Sequence, residues 1–313
     1  MKLSVYLPTG FAYDFAHLDD PAATFELLTE LARAADDGSW HSVYVADHFL
    51  TFPPSPSFVF ECWTTLAALA RETERVRIGP MVTGNGYRNP ALQAKMAATL
   101  DALSHGRFTF GIGSGWYEED YRAYGYPFGT AHERLDKLGE ALQIIRSMLT
   151  EPLTSLDGKH YQVEAAINEP KGVQTPHIPM LIAGGGEKVT LRLVAQYGDA
   201  CNVHESPDGL RRKYSLIDKH CAAVGRNPDE IWRTSTTYYV VADTDDEARA
   251  KVPEWAPAVF PGDIGEYGLI GTPDTIRERL VAYENAGVQE LLVSFHDNTN
   301  PQAIRDFAAA FLS

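Results

Sequence analysis

Strand-like and helix-like stretches alternate along this chain, and that alternation constrains its fold more than any single residue. Short apolar runs rich in β-branched residues predict strands at 3–7, 42–46, 77–82, 107–112, 179–183, 199–203, 235–241 and 290–295. Apolar residues at helical spacing follow, at about 22–36, 61–73, 89–104, 131–149, 187–197, 207–224, 244–252 and 272–286, with a last helix at about 300–312. Eight βα units in one chain point to a parallel sheet closed into a (β/α)8 TIM barrel with insertions. A doubly wound open sheet is the weaker reading. Pro8-Thr9-Gly10-Phe11 follows the first strand, where a dinucleotide fold would carry GxGxxG.

Local signals support the scaffold. Asn89-Pro90 supplies an N-cap and a first-turn proline, Leu92, Met96, Leu100 and Leu103 keep one apolar face, and Gly106 stops the helix. Thr272-Pro273-Asp274 caps the helix carrying Ile276, Leu280 and Tyr283. Two stretches exceed a minimal barrel, so the expectation is a single domain, 1–313, with insertions at about 150–178 and 253–270. The first contains Asp157-Gly158, a hairpin turn between short polar strands. The second carries three prolines and three glycines. Long irregular loops usually cover binding sites, so both are expected over the barrel mouth.

Composition removes several function classes. Asp and Glu outnumber Lys and Arg 42 to 27, a formal net charge of −15. Such a surface repels nucleic acid and acidic membranes, and an anionic ligand must be held by local donors. Cys62, Cys201 and Cys221 form neither a disulfide framework nor a CxxC pair, which points to a reducing cytoplasm. Met1 leads into a strand pattern without the basic and apolar segments of a secretory leader. No stretch approaches the ~20 apolar residues of a membrane span. The ten histidines contain no HxH or HExxH, so no metal site is expected. Gly113-Ser114-Gly115 is not the GxSxG of a serine hydrolase.

The fourth strand carries the densest signal. Phe108, Phe110 and Ile112 form one apolar face, while Gly111, Gly113 and Gly115 leave the other side nearly bare. Either a flat ligand lies against that backbone or the glycines relieve crowding inside a barrel. In a barrel the active face is the C-terminal end of the strands. That rule gathers Asp47-His48, the run Met81-Val82-Thr83-Gly84-Asn85, Ser114-Gly115-Trp116, Gly184-Gly185-Gly186 and Asn202-Val203-His204. Bare N–H groups of the Gly184 run, placed before a helix, can hold a phosphate, or the glycines serve turn geometry alone. His48 can bond a ring heteroatom or relay a proton near neutral pH, or fill a structural place.

Taken together these pieces resemble the luciferase-like monooxygenase superfamily, and most closely its branch of F420-dependent oxidoreductases. The matching residues are Ala46-Asp47-His48-Phe49, Val82 through Pro90, Leu103-Ser104-His105-Gly106-Arg107, Gly111 through Trp116, Ile182 through Glu187 and Gly271-Thr272-Pro273. They span nearly the whole chain in order. The resemblance implies a barrel that holds the 5-deazaflavin F420 in its C-terminal mouth and transfers hydride between that ring and a small organic substrate. It places Asp47 and His48 against the ring, a strand-three bulge with a non-prolyl cis peptide near Met81-Val82, and the phosphate on Gly184, Gly185 and Gly186. Met81, Val82, Thr83, Asn85, Ser114 and Asn202 complete the candidate cofactor contacts. The sugar-phosphate-oxidising branch has a glutamate where this chain has Trp116, so an apolar or aromatic substrate is expected instead. His48, Trp116 and Glu118 are the candidate catalytic residues, and His48, Glu118, His204 or solvent handles the proton. The alternatives are an FMN-dependent monooxygenase served by a separate reductase, and a flavin-binding barrel without catalysis. The resemblance also implies a homodimer, with helices 61–73 and 89–104 as candidate contact faces.

Overall fold

Eight parallel strands and eight main helices alternate in the computed structural model, which describes residues 1–312. The strands are β1 Lys2–Leu7, β2 Ser42–Val45, β3 Arg77–Pro80 resuming at Thr83–Gly84, β4 Phe110–Gly113, β5 Met180–Ala183, β6 Ala200–Asn202, β7 Trp232–Val241 and β8 Glu290–Phe295. The helices are α1 Pro21–Asp37, α2 Cys62–Glu72, α3 Pro90–Leu103, α4 Ala131–Thr150, α5 Thr190–Tyr197, α6 Pro207–Val224, α7 Pro273–Asn285 and α8 Pro301–Phe311. Pairing runs β3–β2–β1–β8–β7–β6–β5–β4, always parallel. Thr83–Gly84 then pairs with Ile112–Gly113, and Ile78 bridges Phe108, which brings the sheet round to its start. The (β/α)8 barrel read from the sequence is therefore the fold. Among the described residues no helix is long and apolar enough to cross a membrane.

Alternation along each strand sorts the core into two layers. Leu3, Val5, Val43, Val45, Phe110, Ile112, Leu291 and Val293 face outward against Leu28, Leu31, Leu66, Leu69, Ile144 and Phe307 of the helices. Each such side chain, fully buried, contributes on the order of 2 kcal/mol. Tyr6, Tyr44, Met81, Leu181 and Leu292 pack in the barrel interior. At the lower end Ser4 Oγ and the Trp232 indole N–H both donate to the buried Glu290 carboxylate, at 2.6 and 2.9 Å.

The structure corrects three expectations. On α3 the buried stripe is Gln93, Ala94, Ala97, Ala98, Leu100 and Asp101, while Leu92 stands 53% exposed. Leu100 is buried and Met96 and Leu103 pack against the core as expected, so Leu92 alone leaves the apolar face, and small alanines take the closest approach. α5 begins at Thr190 rather than 187, after a turn through Glu187–Val189. Segment 150–178 does form its hairpin, Thr154–Asp157 with Gln162–Ala166. Its later half, however, runs to the base of the barrel. There Asp101 on α3 accepts the N–H groups of Val173 and Gln174, and Arg77 at the start of β3 donates to Oε1 of the Gln174 side chain. Segment 253–270 reaches the mouth as expected, and also adds a short strand, Leu269–Gly271, beside β7.

Candidate active site

Tight packing between β3 and β4 shapes one wall of the mouth. A Cβ on Gly111 would stand 2.1 Å from the Pro80 carbonyl oxygen and 3.1 Å from Val82 Cγ1. One on Gly113 would stand 3.0 Å from Val82 Cγ2. The bare track therefore makes room for the chain's own β3 at Met81–Val82, where the peptide is cis, and Val82 covers the glycines. Gly115, at φ +81°, gives its space to the Tyr121 ring, whose hydroxyl a Cβ would meet at 1.9 Å. Relief of crowding is the outcome for all three.

At the end of β2, Asp47 and His48 diverge. Asp47 is 2% exposed and accepts both guanidinium nitrogens of Arg88, at 2.6 and 3.0 Å, and the Thr83 hydroxyl at 2.6 Å. Arg88 also reaches Glu61 at 2.6 Å. The carboxylate is thus saturated by a scaffold that pins β2 to β3 and α2. His48 turns toward the mouth. Its Nδ1 lies 2.7 Å from the Asp120 carboxylate, and Phe11 stacks on its ring at 3.9 Å. Asp120 is fully buried and also accepts the Tyr87 hydroxyl and the backbone N–H groups of Phe49 and Leu50. An acceptor-only carboxylate holds the proton on Nδ1, so Nε2 is the nitrogen left for the cavity.

That cavity encloses about 560 Å³, within the range for a small-molecule site. It brings together Asp47, His48, Met81, Val82, Ser114, Trp116, Gly184, Gly185, Asn202 and His204. Trp116, 49% exposed, stands edge-on to Phe11 and His48 at its rim. Four sequence candidates lie outside it. Thr83 is fully buried behind the wall, bonded by Trp63 and to Asp47. Asn85 is bonded to Tyr161 in a neighbouring cavity. Gly186 packs against Thr190, 2.7 Å from where its Cβ would be. Glu118 is exposed on the first turn of a short helix.

The residues fit a flat ring with a phosphorylated side chain. Gly185 has no positive φ, and a Cβ there would meet only Val203 and Lys213 side-chain atoms, at 3.7 Å and beyond. The protein itself does not demand glycine at this position, which borders the cavity. Gly184 N–H already donates to the Asn202 carbonyl, leaving the amides of Gly185 and Gly186. Lys213 Nζ stands on the Gly185 carbonyl at 2.8 Å and on Glu187 at 2.9 Å, which supplies the local positive charge. Phe11, Tyr6 and Trp116 offer aromatic walls.

A second cavity of about 380 Å³ continues from the first, sharing Tyr6, Phe11, Met81, His204 and Val259. Trp255 and Phe260 wall it on the side of the proline-rich segment. Asp14 accepts Gly10 N–H at 2.9 Å and the Asn298 amide, joining the loops after β1 and β8. Burial raises its pKa, partly opposed by those bonds. The Tyr6 and Tyr238 hydroxyls are pushed up by burial and by Asp14. His204 bonds the Val259 carbonyl through Nδ1, and burial lowers its pKa, so it stands as a neutral imidazole with Nε2 an acceptor.

Sequence reasoning missed Asp120, Phe11, Tyr87, Asp14 and Lys213. Asp120 carried no signal beyond the acidic run Glu118-Glu119-Asp120, and nothing local says which carboxylate turns inward. Among the described residues there is no cluster suited to a metal ion.

Comparisons with known proteins agree with this geometry. A family model described as luciferase-like monooxygenase matches residues 1–266. An FMNH2-dependent dimethylsulfone monooxygenase of Pseudomonas putida is 27% identical over 273 residues, 75% of this chain and 73% of that protein. An F420-dependent hydroxymycolic acid dehydrogenase of Mycobacterium tuberculosis is 25% identical over 280 residues, 88% of this chain and 72% of that one. Among solved structures, an F420-dependent secondary alcohol dehydrogenase in complex with an F420-acetone adduct superposes with a TM-score of 0.85 over 99% of this chain and 98% of that chain, at 17% identity, a likeness of fold.

Proposed function

The chain belongs to the luciferase-like monooxygenase family, and from that premise we propose that it is an F420-dependent oxidoreductase acting on a small apolar or aromatic carbonyl compound or the matching alcohol. When bound, the deazaflavin supplies or accepts a hydride. The observation that carries the reading is His48, held by the buried Asp120 beside the larger cavity, with a smaller aromatic-walled chamber adjoining it. Carbonyl reduction adds a hydride to carbon and a proton to oxygen. His48 Nε2 is the group we assign to that proton, and Asp120 holds the ring in place through Nδ1. In alcohol oxidation the same nitrogen accepts the proton. Phe11, Val259, Phe260 and Trp255 exclude water and favour an apolar substrate.

Gly185, the loop amides and Lys213 are assigned to the cofactor phosphate, Val82 and Met81 to the wall beside its ring, and Ser114 and Asn202 to polar contacts. A homodimer in the cytoplasm completes the reading. The second reading, an FMN-dependent monooxygenase with a separate reductase, is favoured by likeness to the Pseudomonas putida enzyme. Anaerobic assay of the purified protein with F420 and a panel of secondary alcohols, or reduced F420 and ketones, tests the proposal. Bleaching or recovery of the deazaflavin absorbance supports it. Oxygen consumption with reduced FMN and the same panel, without deazaflavin turnover, supports the second reading instead.

A further inference from the structure

A third cavity, about 340 Å³, lies beside the main one and shares Tyr87 and Ser114 with it. The loop after β3 forms one side, the start of α4 another, and the hairpin of residues 154–166 a third. Its charge is unlike the rest of the molecule. Arg88, Arg134, Lys137 and His160 line it, and no carboxylate does, on a chain of net charge −15. Arg88 is spent on Asp47 and Glu61. Arg134 donates Nε to the Gly115 carbonyl and Nη1 to the Gly129 carbonyl, and its guanidinium carbon stands over the Phe128 ring, 3.8 Å from the centroid. Its remaining donors and the half-buried Lys137 are the cations with capacity left.

The second observation is a set of unmet polar groups. Asn85 is 1% exposed, and its Nδ2 bonds the Tyr161 hydroxyl at 3.1 Å while Oδ1 has no partner. A tyrosine hydroxyl donates as readily as it accepts, so with the amide turned over the unmet atom would be Nδ2 instead. Either way, one end of a buried amide is unanswered. The buried Nε2 of His160 is likewise unpartnered. Buried polar groups are nearly always satisfied in native proteins, so these atoms await a ligand or water. A simple anion would meet the cations, and Nδ2 with the amide turned over, but not Oδ1. A ligand bearing both carboxylates and amide groups meets all of them.

We propose that this cavity binds the acidic, amide-linked glutamyl tail of F420, with Lys137 and Arg134 meeting its carboxylates and Asn85 and His160 its amide groups. The proposal rests on the F420 reading above. FMN ends at its phosphate and has nothing to place here, so the cavity discriminates between the two cofactors. A free polycarboxylate is the same chemistry from another source.

The test is a fluorescence titration of the full chain with two deazaflavins that share ring and phosphate, one carrying glutamates and one ending at the phospholactyl group. The wild type is expected to bind the glutamylated form at least tenfold more tightly. Lys137→Glu is expected to remove that preference and leave the truncated form unaffected, and Lys137→Ala replaces it if the first variant misfolds. Equal binding of both forms by the wild type overturns the tail site and leaves the cofactor reading standing. So does an equal weakening of both by the variant. Binding of neither form overturns both. Calorimetry with citrate covers the remaining source: citrate binding that Lys137→Glu abolishes, with no preference between the deazaflavins, assigns the cavity to a separate acid and overturns the tail.

Discussion

His48 owes its orientation to Asp120, which lies 72 positions further along the chain. Asp120→Asn keeps the size of the side chain but can no longer fix the proton on Nδ1. Turnover is expected to fall on the order of 10²-fold or more, with an unchanged far-ultraviolet circular dichroism spectrum. Turnover within a factor of three of the wild type would remove His48 from proton transfer. Asp14 gives a pH prediction. Its native pKa is raised by burial, so the stability linked to it is fully present below the unfolded carboxylate value, ~4, and is lost as pH rises through the native value. Asp14→Asn removes that dependence at the cost of one hydrogen bond, a constant offset. The melting temperature of the variant relative to the wild type is expected to climb between pH 4 and pH 8, and a flat difference would contradict it. At this scale the sequence showed Asp47 and His48 as a pair at a strand end. It could not show that Asp47 would be consumed by Arg88 and Thr83, because that depends on side chains meeting from three elements.

Packing demands glycine at some positions and not at others. Gly111 sits where β3 and β4 approach so closely that a methyl group would overlap the Pro80 carbonyl. Gly111→Ala is expected to destabilise the fold by about 1–3 kcal/mol. Gly185→Ala meets ordinary contacts and is expected to leave the melting temperature unchanged while weakening cofactor binding about tenfold or more. Thermal melts and titrations of the two variants check this together, and an unaltered affinity in Gly185→Ala would place the phosphate elsewhere. Every barrel strand was legible as an element, because outward faces such as Phe108, Phe110 and Ile112 repeat at period two. The strand Leu269–Gly271 was not, since three residues after a proline-rich stretch carry no period. On α3 only Leu92 was misread, because alanine is both apolar and small, and Ala94, Ala97 and Ala98 take the closest approach.

For the whole molecule, the order of elements and the rule of the barrel mouth gathered most of the residues that line the main cavity. They could not give the three adjoining cavities, which depend on loops from opposite ends of the chain. Asp14 and Asn298 meet across the mouth, and Tyr161 of the hairpin meets Asn85. The overall negative charge would repel an anionic cofactor at long range, so on the proposed reading its affinity would come from local cations such as Lys213 and Lys137. On the proposed reading the larger cavity selects a deazaflavin over FMN. Titrating the purified apoprotein with F420 and with FMN in parallel, at equal ionic strength, tests it most directly. Saturable F420 binding is expected, one per chain and at least tenfold tighter than FMN. Tighter binding of FMN would contradict it and make this barrel a monooxygenase in search of its reductase.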